Sequence, residues 1–359
     1  MSVKIRILHK YVSLTFAALW ILQALTGALL VFHWELDDAF LGGPSVRLNV
    51  EKLGDRIDTM ILTRQYGTPT GIYWSGGEAA RFDVIVQRAA KSDVVRVDGQ
   101  GSVLRQRPWD HDFAHIGVFQ DITYLHQTLF AHDVGKWFLG ASGLVLFSNI
   151  TLALKLAWPR RQSWASALFP RRSKVFAANI FAWHRALGLS LAFVALVSIG
   201  AGVLMAYETP LADWFDDARP SPPAELGAAE TRSPAAIGTA QAIRTALERY
   251  PSAVLTGIDL PDANSPWFKV ELRQASELRR VSGRTFVDVS SLSGRILRDY
   301  DPRTAPLKTR FWDALYAIHT GEAGGWLGRA GAVLIGVWLL SMIALGLTLW
   351  SARRRIARR

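Results

Sequence analysis

The sequence predicts a membrane protein of the α-helical class: four transmembrane helices arranged as a duplicated hairpin, with two small α+β domains outside the bilayer. Three observations predict it. Four long stretches are nearly free of charge, the basic residues gather in the short segments flanking them, and the chain matches itself at fixed offsets. Half of the 359 residues are hydrophobic while 20% are charged, as expected of apolar spans alternating with soluble blocks.

The spans come first. Tyr11–Phe32 and Ala186–Tyr207 contain no charge, Trp137–Trp158 contain only Lys155, and Trp326–Trp350 contain only Arg329. A hydrocarbon core of ~30 Å needs about 20 helical residues, and each stretch is long enough. Helices of this length in soluble proteins carry a polar face, which these lack. The first span reads as a retained signal anchor, because His33-Trp34-Glu35-Leu36 offers no small-residue cleavage site. Trp34, Trp137, Trp158, Trp326 and Trp350 stand near span ends, where aromatic belts form.

Charge sets the orientation. Lys4, Arg6 and Lys10 precede the first span; Arg160, Arg161, Arg171, Arg172, Lys174 and Arg185 lie between the second and third; Arg353, Arg354, Arg355, Arg358 and Arg359 follow the fourth. These 14 basic residues, with no acid among them, outweigh the net charge of +11. The excess is therefore a topology signal that places these segments in the cytoplasm, and no nucleic-acid partner is expected. The expected division is residues 1–33, cytoplasmic N-terminus and first span; 34–125, first periplasmic domain; 126–158, second span; 159–175, basic cytoplasmic loop; 176–207, third span; 208–318, second periplasmic domain; 319–350, fourth span; and 351–359, basic cytoplasmic tail.

The chain repeats. His9–Phe40 against His184–Phe215, at an offset of 175, match at eight of 32 positions, including His9/His184 and Gly27/Gly202. His126–Ala157 against His319–Trp350, at an offset of 193, match at nine of 32, including His126/His319, Gly135/Gly328 and Gly143/Gly336. Both halves run from cytoplasm to outside and back, so the repeat is parallel about an axis along the membrane normal. In the first soluble block, residues 58–64 read as a short helix. Residues 72–74, 82–87, 94–97 and 102–105 read as strands, with a turn at Asp98-Gly99-Gln100-Gly101. In the second, Ala240–Tyr250 read as a helix capped by Thr239, followed by strands at 267–273, 285–289 and 295–297. Residues 218–234, rich in Pro, Ala and Glu, read as a linker. One helix followed by strands makes a small α+β module in each block.

The chain has no cysteine, which excludes disulfides, cysteine-ligated iron–sulfur clusters and covalent haem attachment. The histidines carry the chemistry. His9 and His184 begin spans one and three at the cytoplasmic face; His126 and His319 precede spans two and four at the outer face. Repeat-related residues face one another across a twofold axis. Each pair is thus placed to hold one haem iron, and two facing imidazoles without cysteine suit b-type haem, two per chain. Ser13 and Gly188, one turn after His9 and His184, leave room for a flat ring. Lys10 and Arg185 are placed to meet haem propionates, and Gly27 and Gly202 to make room beside the outer haem. His33 has no repeat partner and stands as a second-line ligand, a proton relay or a substrate contact. His132, matched by Gly325, is the other second-line ligand. His111 and His115, four apart, suit either a helical metal pair or a solvated loop. Two plainer readings stand beside these: interfacial histidines as amphipathic residues at the headgroups, and zinc or iron bound without haem.

Leu8-His9-Lys10, Leu25-Thr26-Gly27, Leu125-His126, Gly135, Gly143, Trp183-His184-Arg185, Gly188, Ile318-His319-Thr320-Gly321, Gly328 and Leu349-Trp350 together resemble the PepSY-associated transmembrane helix family. That family includes iron-regulated inner-membrane proteins of siderophore uptake. The resemblance covers nearly the whole chain, and the soluble blocks resemble PepSY modules in outline. It implies a bacterial inner-membrane, haem-dependent reductase of ferric siderophore, an oxidoreductase that releases Fe(II) in the periplasm. Only nine residues follow the fourth span, so the electron donor is expected to be separate, either a quinol or a cytoplasmic reductase. The expected route runs from donor to the His9/His184 haem, then to the His126/His319 haem, then to the ferric chelate. Two alternatives belong to other classes. One is a PepSY-type binding or regulatory module without redox activity; the other is a metal transporter, for which the spans hold few mid-membrane polar residues. The oligomeric state is not legible. The charge pattern makes a first prediction: a reporter fused after Arg359 is cytoplasmic and one inserted near Ser221 lies outside. Reporter activities of the opposite sense would reverse the orientation.

Overall fold

The computed structural model describes residues 3–77, 80–89, 91–109, 117–211 and 237–357. The linker of residues 218–234 and the pair His111 and His115 lie outside the described residues. In chain order the elements are α1 (Val3–Leu30), α2 (His33–Leu41), α3 (Val50–Thr63), β1 (Thr68–Trp74), β2 (Arg81–Arg88), β3 (Lys91–Asp98), β4 (Val103–Pro108), α4 (Val118–Thr128), α5 (His132–Ala157), α6 (Trp164–Leu168) and α7 (Phe176–Ala206). They continue with α8 (Glu208–Leu211), α9 (Thr239–Arg249), β5 (Val254–Asp259), β6 (Trp267–Arg273), β7 (Thr285–Ser290), β8 (Ile296–Tyr300), α10 (Leu307–Thr320) and α11 (Gly325–Ala357). Two compact units result: Met1–Phe32, Ile122–Ala212 and Leu315–Arg359 form one, and His33–Asp121 with Asp213–Ala314 the other.

The first unit holds α1, α5, α7 and α11, the four described helices long and apolar enough to cross a membrane. Both α1 and α7 pack against α5 and α11, so α1 and α7 occupy opposite corners of a four-helix bundle. Small side chains face inward: Ala17, Ala24, Ala186, Ala192, Ala195 and Ala201 are buried, while Leu25, Leu29, Phe193, Val197, Leu334 and Val337 are exposed. Helices in lipid gain little from burying leucine, and close backbone approach through small residues is what holds them. Gly336 of α11 illustrates this, since a β-carbon there would stand 3.0 Å from that of Ala28. Arg329 donates to the Val31 carbonyl at 2.6 Å and lies over the Phe32 ring, satisfying a backbone acceptor at the end of α1.

His126 and His319 precede the second and fourth spans, as expected from the sequence, and a helix break separates each histidine from its span. Leu129, Phe130 and His132 take positive φ between α4 and α5, as do Gly321 and Gly325 between α10 and α11. A left-handed residue ends a helix. A β-carbon on Gly135 would come within 1.7 Å of the Thr128 carbonyl oxygen, and one on Gly328 within 2.1 Å of that of Gly321. The matched glycines therefore serve the two chain reversals.

In the second unit the two expected α+β modules become one. The strands form a single antiparallel sheet in the order β4-β3-β2-β1-β5-β6-β7-β8, two four-stranded meanders joined where Gly71 faces Asp259 and Tyr73 faces Gly257. The join pairs the backbone of two strands that would otherwise be sheet edges. Strand β5 was not foreseen, because Gly257 interrupts its apolar run. A β-carbon at Gly71 or Gly257 would strike Tyr73, whose ring lies over the seam and whose hydroxyl donates to Asp259. Helices α3 and α9 cover the opposite face. Leu53, Ile57 and Met60 of one and Ala242, Ile243 and Ala246 of the other share a single core with strand residues from both halves, among them Ile72, Val84, Val97, Ile258, Val270 and Val289. Thr239 does not cap α9. The N-cap is Gly238, and the Asp58 carboxylate of α3 receives the Thr239 hydroxyl at 2.7 Å and its N–H at 3.2 Å. The Trp34 ring packs on Gly76 beneath Arg280.

A buried ionic cluster fastens α2 to the sheet. Arg96 donates to Asp37 at 2.8 Å, Asp38 at 2.7 Å and Asp83 at 2.7 Å, and Arg105 grips Asp37 with two nitrogens. Burial alone would raise the Asp37 carboxyl, but hydrogen bonds and charge from Arg105 and Arg96 hold it below the usual carboxylate range. A depressed folded-state value contributes stability above the ordinary carboxylate pKa, and that stability fades as pH falls through the folded one. Arg96→Met removes the buried cation shared by three carboxylates, leaving Asp37 to Arg105, Asp38 to Arg81 and Asp83 without its ion-pair partner, an expected loss of about 3–5 kcal/mol. Arg88→Met, at the open Arg88–Asp93 pair, should cost under about 1 kcal/mol. Thermal unfolding of the full chain in detergent reads both; equal midpoints would show that the cluster holds nothing.

Candidate functional site

The break before each of α5 and α11 turns a histidine back into the bundle. His126, on the last turns of α4, meets the C-terminal part of α1, and His319, on the last turn of α10, meets α7. Thr26 donates its hydroxyl proton to the Leu22 carbonyl at 2.8 Å, so its lone pair receives the His126 Nδ1 proton at 2.9 Å. The Ser198 carbonyl, which can only accept, receives His319 Nδ1 at 2.9 Å. Both rings are thus fixed in the tautomer whose Nε2 carries a bare lone pair. Their centroids stand 6.3 Å apart, with planes inclined by 33°. With metal–nitrogen bonds of about 2 Å and centroids about 1 Å beyond each nitrogen, two imidazoles sharing one metal stand about 6 Å apart.

Glycine makes this pairing possible. A β-carbon on Gly27 would fall 2.9 Å from His126 Cε1, and one on Gly202 would fall 2.8 Å from His319 Cε1. Gly27 and Gly202 had been expected to leave room for a flat cofactor. They leave room for the imidazoles themselves.

The second pair lies toward the end of the bundle that carries the N-terminus. His9 of α1 donates from Nδ1 to Asn149 Oδ1 of α5 at 3.0 Å, and the Asn149 amide donates to Ser13 Oγ at 2.9 Å. This again leaves Nε2 bare. His184 of α7 packs against α11, its Cε1 lying 3.5 Å from where a β-carbon on Gly346 would stand. Its Nδ1 is buried with no hydrogen-bond partner. The two imidazoles are within electrostatic reach of each other. Eighteen residues separate His9 from Gly27 on α1, and His184 from Gly202 on α7. At 1.5 Å per residue the two pairs are about 27 Å apart along the bundle.

The remaining candidates fall elsewhere. Lys10 lies over the Tyr11 ring, and Arg185 donates to the Ala157 carbonyl at 2.9 Å, closing the end of α5. His33 packs against Trp34 and Phe119 in the second unit. His132 is exposed and holds the left-handed position that Gly325 takes in the other half. Among the described residues no three of His, Asp and Glu gather in metal-holding geometry, so imidazole pairs are what the fold offers. Sequence reading missed Thr26, Ser198 and above all Asn149. The available signal was a buried amide within an otherwise apolar span, and polar groups at that depth are rarely without a task.

Fold and site define a membrane α-helical protein with an α+β sheet unit, one facing imidazole pair, and two further buried imidazoles toward the other end of the bundle. A family model described as the PepSY-associated TM region matches residues 6–353, and the chain belongs to that family of multi-pass membrane proteins. No curated protein matches the chain significantly.

Gly27→Leu or Gly202→Leu should overpack the imidazole pocket and lower stability by about 1–3 kcal/mol. Gly331→Leu, where a side chain enters open space, should leave the melting midpoint of the full chain unchanged. A similar drop at all three positions would argue that helix packing in general, and not the imidazoles, requires the two glycines.

Proposed function

We propose that this chain is a bacterial inner-membrane electron-transfer protein that holds two b-type haems and reduces a ferric siderophore on the periplasmic side, releasing Fe(II). One observation carries the reading: His126 and His319 face each other at the spacing of two ligands on one metal, each with Nδ1 tethered and Nε2 bare. Four further features support it. His9 is tethered in the same way. His184 presents a buried Nδ1 that no side chain engages. The absence of cysteine suits non-covalent attachment, and the family includes proteins of this kind by the resemblance described above.

The residues present fit the group. His126 with His319, and His9 with His184, would hold the haems, which would supply one-electron transfer. The chain's part is to fix ring orientation through Thr26, Ser198 and Asn149 and to keep water from the nitrogens by burying them. It also separates the pairs along the bundle, so that electrons from a quinol or a cytoplasmic reductase are taken up near His9 and delivered near His126. Reduction weakens the hold of hard oxygen ligands on the iron, and the chelate loosens. We infer that the repeated order of span, helix, four strands, helix and span arose by duplication. The 14 basic residues support an orientation with both termini in the cytoplasm and the sheet unit in the periplasm.

Pyridine haemochrome assay of protein purified from haem-replete cells should give two non-covalent haems per chain. His126→Ala and His319→Ala should each remove one, and the double variant no more. His9→Ala or His184→Ala should remove the other. Ferric chelate reduction, followed with a ferrous-specific dye, should fail in all four. A colourless wild-type preparation sinks the reading; full haem in His126→Ala would shift attention to His33, then His132.

A further inference from the structure

The two imidazoles nearer the N-terminus are not equivalent, although the chain's repeat relates them. His9 has a partner chain of its own: Asn149 accepts its Nδ1 proton and is in turn anchored on Ser13. At the repeat offsets of 193 and 175, Asn149 corresponds to Met342 and Ser13 to Gly188. Both polar partners are therefore missing on the other side, and the replacements fit each other. A β-carbon on Gly188 would stand 3.2 Å from Met342 Cε, so the thioether fills the space opened by the glycine. Methionine is well suited to filling such gaps, but it accepts hydrogen bonds only weakly. The result is the orphaned His184 Nδ1.

A buried amide inside an apolar span is costly unless its hydrogen bonds are met. Asn149 is 5% exposed, and both ends of its amide are engaged, one on His9. We propose that Asn149 is a positioning residue, which holds His9 as the fixed, strongly donating ligand of this site, while His184 is the loosely held one. The proposal rests on the haem reading above. An Nδ1–H that donates to an amide oxygen makes the opposite nitrogen a better electron donor. It also stops the ring from turning about its Cβ–Cγ bond. No side chain supplies that hydrogen bond to His184, which has only the Met342 backbone carbonyl near it.

The test uses the full chain in detergent, with haem retention against apomyoglobin and a redox titration of each haem as readouts. Asn149→Leu should keep the His126/His319 haem and its potential unchanged. At the other site haem affinity should fall about 10–100-fold, the usual effect of losing an outer-shell partner, and the midpoint potential should become more positive. The paired change Met342→Asn with Gly188→Ser should do the reverse, tightening haem and lowering that potential, by giving His184 the partners that His9 has. If Asn149→Leu does not fold, Ser13→Ala, which removes one hydroxyl, should move affinity and potential in the same direction by less. Wild-type protein with two haems, and variants with unchanged affinity and potential, would overturn the proposal and leave the haem reading standing. Wild-type protein without haem would overturn both.

Discussion

Where a histidine ring meets a helix backbone in this bundle, the absence of one methyl group decides what is possible. Gly27 and Gly202 let His126 and His319 reach the flanks of α1 and α7, close enough for Thr26 and Ser198 to hold their Nδ1 atoms. Without that approach the two rings would not face each other, and α4 and α10 would have no reason to fold back. The left-handed residues that end those helices, and the Gly135 and Gly328 that let the chain pass close to itself, serve the same contact. In an apolar bundle the polar atoms of an imidazole have few partners, and backbone or hydroxyl groups of the neighbouring helix are the ones within reach.

The sheet unit solves a different problem by a related device. A four-stranded meander with one helix is small for a hydrophobic core, and its first strand is an open edge. Pairing β1 with β5 doubles the core and removes two edges at once. Glycine is again the enabling residue, since Gly71 and Gly257 make room for Tyr73 across the seam. The Asp58 cap on α9 and the Arg96 cluster on α2 add polar restraints of long sequence separation, so each half depends on residues distant in the chain.

These two devices give the proposed function its physical basis. Electron transfer through a membrane requires ligands held at fixed depth and orientation, and the tethered Nδ1 atoms provide orientation while the 18-residue interval on α1 and on α7 provides depth. The unequal surroundings of His9 and His184 add a second layer, because positions matched in the sequence repeat carry different side chains. Asn149 and Met342 are such positions.

Much was legible in the sequence because it depended on local composition. The number of spans follows from runs of apolar residues, and the meeting of His126 with His319 was within reach of self-matching at an offset of 193. Strand β6 was readable residue by residue, since Phe268, Val270 and Leu272 alternate with polar neighbours. Tertiary structure alone decided what depends on contacts between distant segments. The merger of two modules into one sheet needed β5, whose glycine hides it from any propensity scale, and the seam is backbone pairing that no side-chain pattern announces. The helix breaks, the true cap of α9 and the position of Trp34 likewise depend on partners far away in sequence. So does the part played by Asn149. In the sequence it is one amide in an apolar run, and it becomes a ligand's partner only when α5 packs beside α1 and puts His9 within 3.0 Å of it.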